Sequence, residues 1–280
     1  MPPRKWTEEL ITRMEQEGIG QGFGADYRPW LAVQTLSSRG LSRRVWSKKT
    51  QREHHLLSNV EFNLFLCLEW ASDVVDIREQ FPLSRELTLA AADSLGIRHP
   101  HYPGTQVPTV MTVDFMVTRV HHGRQVFEAF NAKTEDEAED DLSLQKLELQ
   151  REVCSLTEVT HHLIFDTAIP NQVAANISWL RDALPKPGDA DFRSGYLDEL
   201  SCRMESELWA KMPAQTVRDF CAKFDRCHGL QHGLGLRVIR MLLYKRILKA
   251  DMQFTDLAAA HLSTFTMTGS QANLRVVGGV

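Results

Sequence analysis

Residues 110–133 constrain this chain more than any other stretch. Val110-Met111-Thr112-Val113-Asp114-Phe115-Met116-Val117 alternates with the period of a β-strand. Met111, Val113, Phe115 and Val117 are expected to form one apolar face, with Asp114 on the other. Asp is depleted in strands, so an Asp in so apolar a segment calls for a reason. Gln125-Val126-Phe127-Glu128-Ala129-Phe130-Asn131-Ala132-Lys133 reads as a second strand, with Asn131 and Lys133 on a shared face. His121-His122-Gly123-Arg124 joins the two as a hairpin loop. A turn centred on His122-Gly123 sets Asp114 directly opposite Asn131, with Lys133 one diagonal step away. A carboxylate, an amide oxygen and an ammonium then converge.

That grouping suits phosphodiester hydrolysis. The reaction needs a cation at the scissile phosphate, an activated water and stabilisation of the developing charge. Mg²⁺, for which Mn²⁺ can substitute, prefers hard oxygen ligands. Asp114 and the Asn131 amide are suitable donors, and the backbone carbonyl of Ala132 adds an oxygen whatever its side chain. Lys133 can orient the attacking water or pair with phosphate. Glu61, at the start of an expected helix, can hold the same ion or a second one. Glu61 also has a structural reading: Ser58…Glu61 is a capping box, with Leu57 and Phe62 spaced as a hydrophobic staple. Asp114 could likewise be solvated, and Lys133 could simply end an edge strand.

Several blocks resemble the TnsA family. They are His54-His55-Leu56-Leu57-Ser58-Asn59-Val60-Glu61, Leu68-Glu69-Trp70, Asp76-Ile77-Arg78-Glu79-Gln80-Phe81-Pro82, Thr112-Val113-Asp114-Phe115, Lys146-Leu147-Glu148-Leu149, and Gly20 through Leu31. The resemblance spans most of residues 18–180 and weakens toward 260. It implies an α/β restriction-endonuclease-like core (residues 1–169) followed by an α-rich winged-helix domain (residues 170–280). It implies Mg²⁺-dependent cleavage of the 5′ strands at transposon ends. The implied partners are transposon-end DNA, a TnsB-like transposase that cuts and joins the 3′ strands, and a TnsC-like AAA+ ATPase. The family's Glu, Asp and Lys fall on Glu61, Asp114 and Lys133. Where the family often has Gln this chain has Asn131, one methylene shorter. A decayed, DNA-bound adaptor and a stand-alone nuclease are the competing readings.

At 280 residues the chain is long enough for two domains. Its net charge of −4 does not by itself suggest a nucleic-acid binder. The distribution says more. Arg39, Arg43, Arg44, Lys48, Lys49 and Arg52 form a run of six bases without an acid, and residues 218–249 hold eight bases against two acids. Such patches contact phosphates, although charge runs are commonly solvated faces. Arg43, Arg44, Lys48, Lys49, His55, Arg237 and Arg240 are the candidate DNA contacts. Five scattered cysteines suggest reduced thiols. With no apolar run of membrane length and no signal peptide, a bacterial cytoplasmic protein is expected, away from any membrane.

Helices are expected at 7–17, from 59 to about 70, after the acidic run Glu135–Asp141, from Pro170 to about Leu184, around Leu197–Leu208, at 217–224 and at 231–245. The post-acidic helix should bury Leu142, Leu149, Val153 and Leu156. Strands are expected at 30–34, 43–46, 74–81 and 162–165, the last one buried, with a loop from 82 through Pro108. Ile247–Phe254 is the candidate wing, and Arg237, Arg240 and Tyr244 share one face of the last helix. That face permits DNA contact; a winged helix used only for protein contacts is the alternative. Cys221, Cys227, His228 and His232 do not have usual zinc spacing.

Overall fold

The structure is a computed structural model that describes residues 5–32, 42–185, 195–210 and 214–268. It divides into two compact units, Met1–Pro170 and Asn171–Val280.

The first unit is built on a four-stranded sheet in the order β3 (Val74–Pro82), β4 (Thr112–His121), β5 (Arg124–Lys133), β6 (Thr160–Phe165). β3, β4 and β5 are antiparallel, and β6 runs parallel to β5. A parallel neighbour requires a crossover, and α4 (Asp141–Leu156) lies in that connection. On one face, Leu64, Phe65 and Leu68 of α2 (Asn59–Trp70) cluster with Phe115, Val117 and Phe130. On the other, Ala91 and Ala92 of α3 (Arg85–Leu95) and Leu149 and Val153 of α4 cluster with Met116 and Ala129. β4 and β5 are interior strands, so Lys133 does not end a sheet edge.

With helices on both faces, the interior strands are buried on both. The expected single apolar face of β4 is therefore wrong. Phe115 and Val117 join the α2 cluster, whereas Met111 and Val113 join the α3–α4 cluster. The switch coincides with Gln80, which lies between the pairs Glu79↔Phe115 and Phe81↔Val113, facing Asp114. Gln80 is buried with φ of 47°, a conformation that costs a side chain on the order of 1–3 kcal/mol.

The expected loop after residue 82 contains α3. Its signals are local: the Ser84 hydroxyl caps the amide of Leu87, and Gly96 ends the helix at φ 65°. β6 is half-buried rather than buried, and among the described residues it has a single neighbouring strand. Along α4, Leu149 and Val153 are buried, but Leu142 and Leu156 are 65% and 59% exposed. Those two leucines lie in the first and last turns, beyond the part of the helix that meets the sheet.

Before the sheet, α1 (Glu8–Gln16) buries Ile11 and Met14 beside Trp30, Tyr102 and Val110. A Cβ at Gly20 would lie 2.3 Å from the Pro82 ring, so only glycine lets the chain pass there. Trp30, Leu31 and Ala32 are not in a strand; the rest of the expected 30–34 strand, and Arg39, lie outside the described residues. β1 (Arg43–Ser47) and β2 (Arg52–Leu56) form a separate antiparallel ribbon. Arg52, expected among surface bases, is buried and grips both oxygens of Glu79 at 2.8 and 2.6 Å. His54 Nδ1 lies 2.7 Å from the same carboxylate. Burial alone would raise the Glu79 carboxyl, but His54 and Arg52 hold it down to about 2. This buried ion network fastens the ribbon to β3.

The second unit contains α5 (Asn171–Arg181), α6 (Tyr196–Ala210), α7 (Val217–Cys227) and α8 (Leu234–Tyr244). A ribbon of β7 (Leu248–Lys249) and β8 (Thr266–Met267) follows. α6 buries Leu197, Leu200, Met204 and Leu208, and α8 buries Leu234, Val238 and Leu242. Arg237 and Arg240 are half-buried and hydrogen-bonded within the unit. Arg240 Nε donates to the Trp179 carbonyl at 3.0 Å, with the guanidinium 4.5 Å from the Trp179 ring centre. Arg237 Nε donates to the Ala183 carbonyl at 2.9 Å. The end of a helix lacks partners for its last carbonyls, and the two arginines supply them to α5 and the turn beyond it. Arg240→Ala is expected to destabilise the protein by about 1–3 kcal/mol, because it removes both a charge-assisted hydrogen bond and the stacking of the guanidinium on Trp179. Urea unfolding with an unchanged midpoint would contradict this role. The basic surplus of this unit is further reduced by Arg218–Asp256 at 3.1 Å and Lys245–Asp198 at 3.0 Å. Cys221 is buried, Cys227 is exposed, and His228 pairs with Glu207 at 2.7 Å.

Candidate active site

The hairpin turn carries φ of 48° at His122 and 76° at Gly123, the two successive positive values of a type I′ turn. That turn fixes the register His121↔Arg124 through Phe115↔Phe130. Continued by one step, it sets Asp114 opposite Asn131. Asp114 Oδ2 accepts a hydrogen bond from the Ala132 amide at 2.8 Å, and Lys133 Nζ lies 3.9 Å from the same oxygen. Asp114 and Asn131 are both buried.

Glu61 enters from the first turn of α2. Its Oε2 accepts from the Leu57 amide at 2.9 Å, and its Oε1 from the Ser58 hydroxyl at 3.3 Å. Ser58 Oγ in turn accepts from the Glu61 amide at 3.1 Å. The cap therefore exists, but the carboxylate is held by the Leu57 amide rather than that of Ser58. It is also part of the site. Burial, and next the charge of Asp114, push the Glu61 carboxyl up to about 8. Asp114 foremost, with Glu61 and Glu137, raises Lys133 and keeps it an ammonium.

Two carboxyl groups that resist ionising together mark a place where added positive charge is favourable. Glu61 and Asp114, with the Asn131 amide and the Ala132 carbonyl as neutral oxygens, are the hard donor set that suits Mg²⁺ or Mn²⁺. Among the described residues no group of three or more His, Cys, Asp or Glu is arranged for a metal. The fit thus rests on two carboxylates supplemented by amide and carbonyl oxygens.

His161, which the sequence leaves without acidic company, belongs to this site. Its Nε2 lies 2.7 Å from Asn131 Oδ1. The parallel pairing of β5 with β6 sets Ala129 beside His161 and Asn131 beside Leu163, which brings the imidazole to the Asn131 side chain. An amide oxygen has two lone pairs, so Asn131 can accept from His161 and still offer one inward. The only signal in the sequence is the strand His162–Phe165 itself; its parallel register is not readable there. His162 lies 3.8 Å from Glu128.

The ribbon before α2 carries the basic candidates. Arg44 pairs with Glu53 at 3.3 Å, and Lys48 is exposed. Arg43 donates to Asn59 at 3.1 Å and lies 4.4 Å from the centre of the Phe62 ring. Lys49 Nζ donates to the Ala71 carbonyl at 2.6 Å, at the end of α2. The His55 amide donates to Glu79. Trp46, not singled out in the sequence, is 58% exposed on the same strand face as Arg44.

Comparison with known proteins gives the family. Residues 71–166 match the family model described as TnsA-like endonuclease N terminal, and residues 168–252 match TnsA endonuclease C terminal. Asp114, Asn131 and Lys133 lie inside the first match; Glu61 lies ahead of it. The chain is 36% identical over 247 residues to the Escherichia coli protein named Transposon Tn7 transposition protein TnsA, covering 88% of this chain and 87% of that relative. These matches on a mixed α/β core define the class: an endonuclease subunit of a DNA transposase. Within that class, the chain belongs to the TnsA family.

Proposed function

We propose that this endonuclease cleaves the 5′ strands at transposon ends, dependent on a divalent cation, with Glu61, Asp114, Asn131 and Lys133 as its site. The observation that carries the reading is the buried Glu61 carboxyl beside Asp114, with the Lys133 ammonium 3.9 Å from Asp114. Mg²⁺ or Mn²⁺ would be held by Glu61, Asp114, the Asn131 amide and the Ala132 carbonyl, and when bound supplies Lewis-acid charge at the scissile phosphate. The Ala132 amide and Lys133 orient the Asp114 carboxylate. Lys133, kept charged by Asp114, donates to a phosphate oxygen or to the attacking water. His161 fixes the Asn131 amide. Leu57 and Ser58 hold Glu61 in one rotamer, so little reorganisation accompanies the reaction.

The test is cleavage of end-labelled transposon-end DNA with the partner transposase and ATPase, the strands being resolved separately. Cuts on the 5′ strands in Mg²⁺, absent with chelator, are expected. Cuts confined to the 3′ strands would refute the assignment and favour the adaptor reading.

The partners of this reading are a TnsB-like transposase and a TnsC-like AAA+ ATPase. The second unit, whose described residues form four helices and a short antiparallel ribbon, is taken as a winged-helix domain and as the docking site for the ATPase. Protein contact suits it better than DNA contact, because Arg237, Arg240, Arg218 and Lys245 are engaged within the unit. Truncation after Pro170 is expected to abolish ATPase binding in a pull-down; full retention would refute the docking role. Among the described residues no helix is long and apolar enough to cross a membrane.

A further inference from the structure

A cavity of about 290 Å³ opens between the loop Arg98–His101 and the first half of α4. Arg98 and Lys146 stand on its rim with Gln145, and Leu142 and Leu149 line it. The loop is held in place by His99, whose ring lies 3.0 Å from the Thr88 hydroxyl of α3 and 2.9 Å from the Pro100 carbonyl. Arg98 and Lys146 are exposed, and neither has an ion pair with another described residue. Of the neighbouring acids, Glu148 pairs with Arg151 at 2.7 Å and the N-cap Asp140 takes the Ser143 amide, while Asp141 is exposed in the first turn of the helix. Leu142 is 65% exposed here although its spacing matches the buried stripe.

The cavity is tied to the active site. Gln150, one helical turn beyond Lys146, donates to the Thr112 carbonyl at 2.7 Å. Thr112 lies two residues before Asp114 on the same strand. One turn of helix is about 5.4 Å and two strand residues about 6.6 Å. With the Gln150 side chain and the carbonyl it reaches included, this path places Lys146 within about 23 Å of Asp114, on the order of seven base-pair steps along a duplex.

We propose that this cavity is a DNA-strand subsite beside the cut. The sugar of one nucleotide lies against the exposed Leu142, and the phosphates on either side are held by Arg98 and Lys146. Two cations at the mouth of an apolar cavity match the two parts of a sugar–phosphate backbone. This rests on the endonuclease reading above but concerns binding, not the cut. The contacts are to backbone and carry no sequence preference.

The test is binding of the full-length protein to a short labelled duplex of arbitrary sequence, in chelator so that nothing is cut. Affinity is followed against salt for wild type, Arg98→Gln, Lys146→Gln and the double variant. Removing one cation from a phosphate should lower the slope of log affinity against log salt by about one, and the double variant by about two. Lys146→Arg should keep the wild-type slope, as should Arg151→Gln, which removes a cation already paired on the same helix. Thermal unfolding of each variant should match wild type, since the altered groups are exposed. An unchanged slope in the double variant would overturn the proposal, as would an equal fall in Arg151→Gln or no binding by wild type at low salt. A variant that binds DNA normally but no longer captures the partner transposase would give the cavity to an acidic protein segment and overturn it too. None of these outcomes bears on whether Asp114 is needed for cleavage, so the two readings fail separately.

Discussion

Asp114→Ala is expected to reduce 5′-strand cleavage to background while leaving the fold intact and the 3′ cuts of the partner transposase in place. The residue lies on an interior strand, buried, with one oxygen on the Ala132 amide and the Lys133 ammonium beside it. Removing the carboxylate takes away one of two anionic donors and the strongest countercharge of Lys133 where the cation should sit. Loss of a group that holds the catalytic charge typically costs several orders of magnitude in rate. Relief of crowding next to Glu61 partly offsets the missing hydrogen bond, so the stability cost should be within about 1–2 kcal/mol. The readout is strand-resolved cleavage beside thermal unfolding. A soluble, folded variant that still cuts the 5′ strand at the wild-type rate would remove Asp114 from the site.

The parts of this site that are legible in the sequence are those fixed by local rules. The His122-Gly123 turn determines a register, and a register determines which side chains meet. Asp114, Asn131 and Lys133 follow from that arithmetic. Glu61 is visible through its cap, because Ser58 and Glu61 interact across three residues. The helix after residue 82 is equally local, with Ser84 at one end and Gly96 at the other, although the segment as a whole reads as a loop.

What is not legible depends on contacts distant in sequence. Arg52 reads as one more surface base, and only the approach of the ribbon to β3 buries it on Glu79, 27 residues away. His161 reaches Asn131 across 30 residues through a parallel pairing, and parallel register leaves no turn to read it from. The face switch of β4 depends on Gln80, whose positive φ is not a preference of Gln. Arg237 and Arg240 share a helix face, as spacing requires, but spacing alone does not say that α5 presents carbonyls to that face.

Glu61→Gln separates the two roles of that residue. As a cap, the side chain needs an oxygen for the Leu57 amide, which an amide oxygen supplies, and the Gln NH2 can donate to the Ser58 hydroxyl oxygen where the Glu61 carboxylate accepts from that hydroxyl. As a cation ligand it needs its charge. The pH dependence gives the sign. The Glu61 carboxyl is raised to about 8 by burial and by Asp114, against about 4.3 in an unfolded chain. Between those values the folded state keeps a proton that the unfolded state has released. Without divalent cation, stability should therefore fall as pH rises from about 5 to 8, on the order of 3 kcal/mol in all. Glu61→Gln cannot ionise, so it should lack that fall, be more stable than wild type at pH near 8 in chelator, and cut little or nothing in Mg²⁺. Cation binding requires the ionised form, so the wild-type apparent affinity for Mg²⁺ should rise about tenfold per pH unit below 8 and level off above it. Glu61→Ala should also abolish cleavage, and the missing cap should cost it about 1 kcal/mol. Thermal unfolding across pH, with and without Mg²⁺, beside strand-resolved cleavage, reads all of these. If Glu61→Gln cuts normally while Glu61→Ala is merely less stable, Glu61 is a cap alone, and Asp114 is left as the only carboxylate of the proposed donor set.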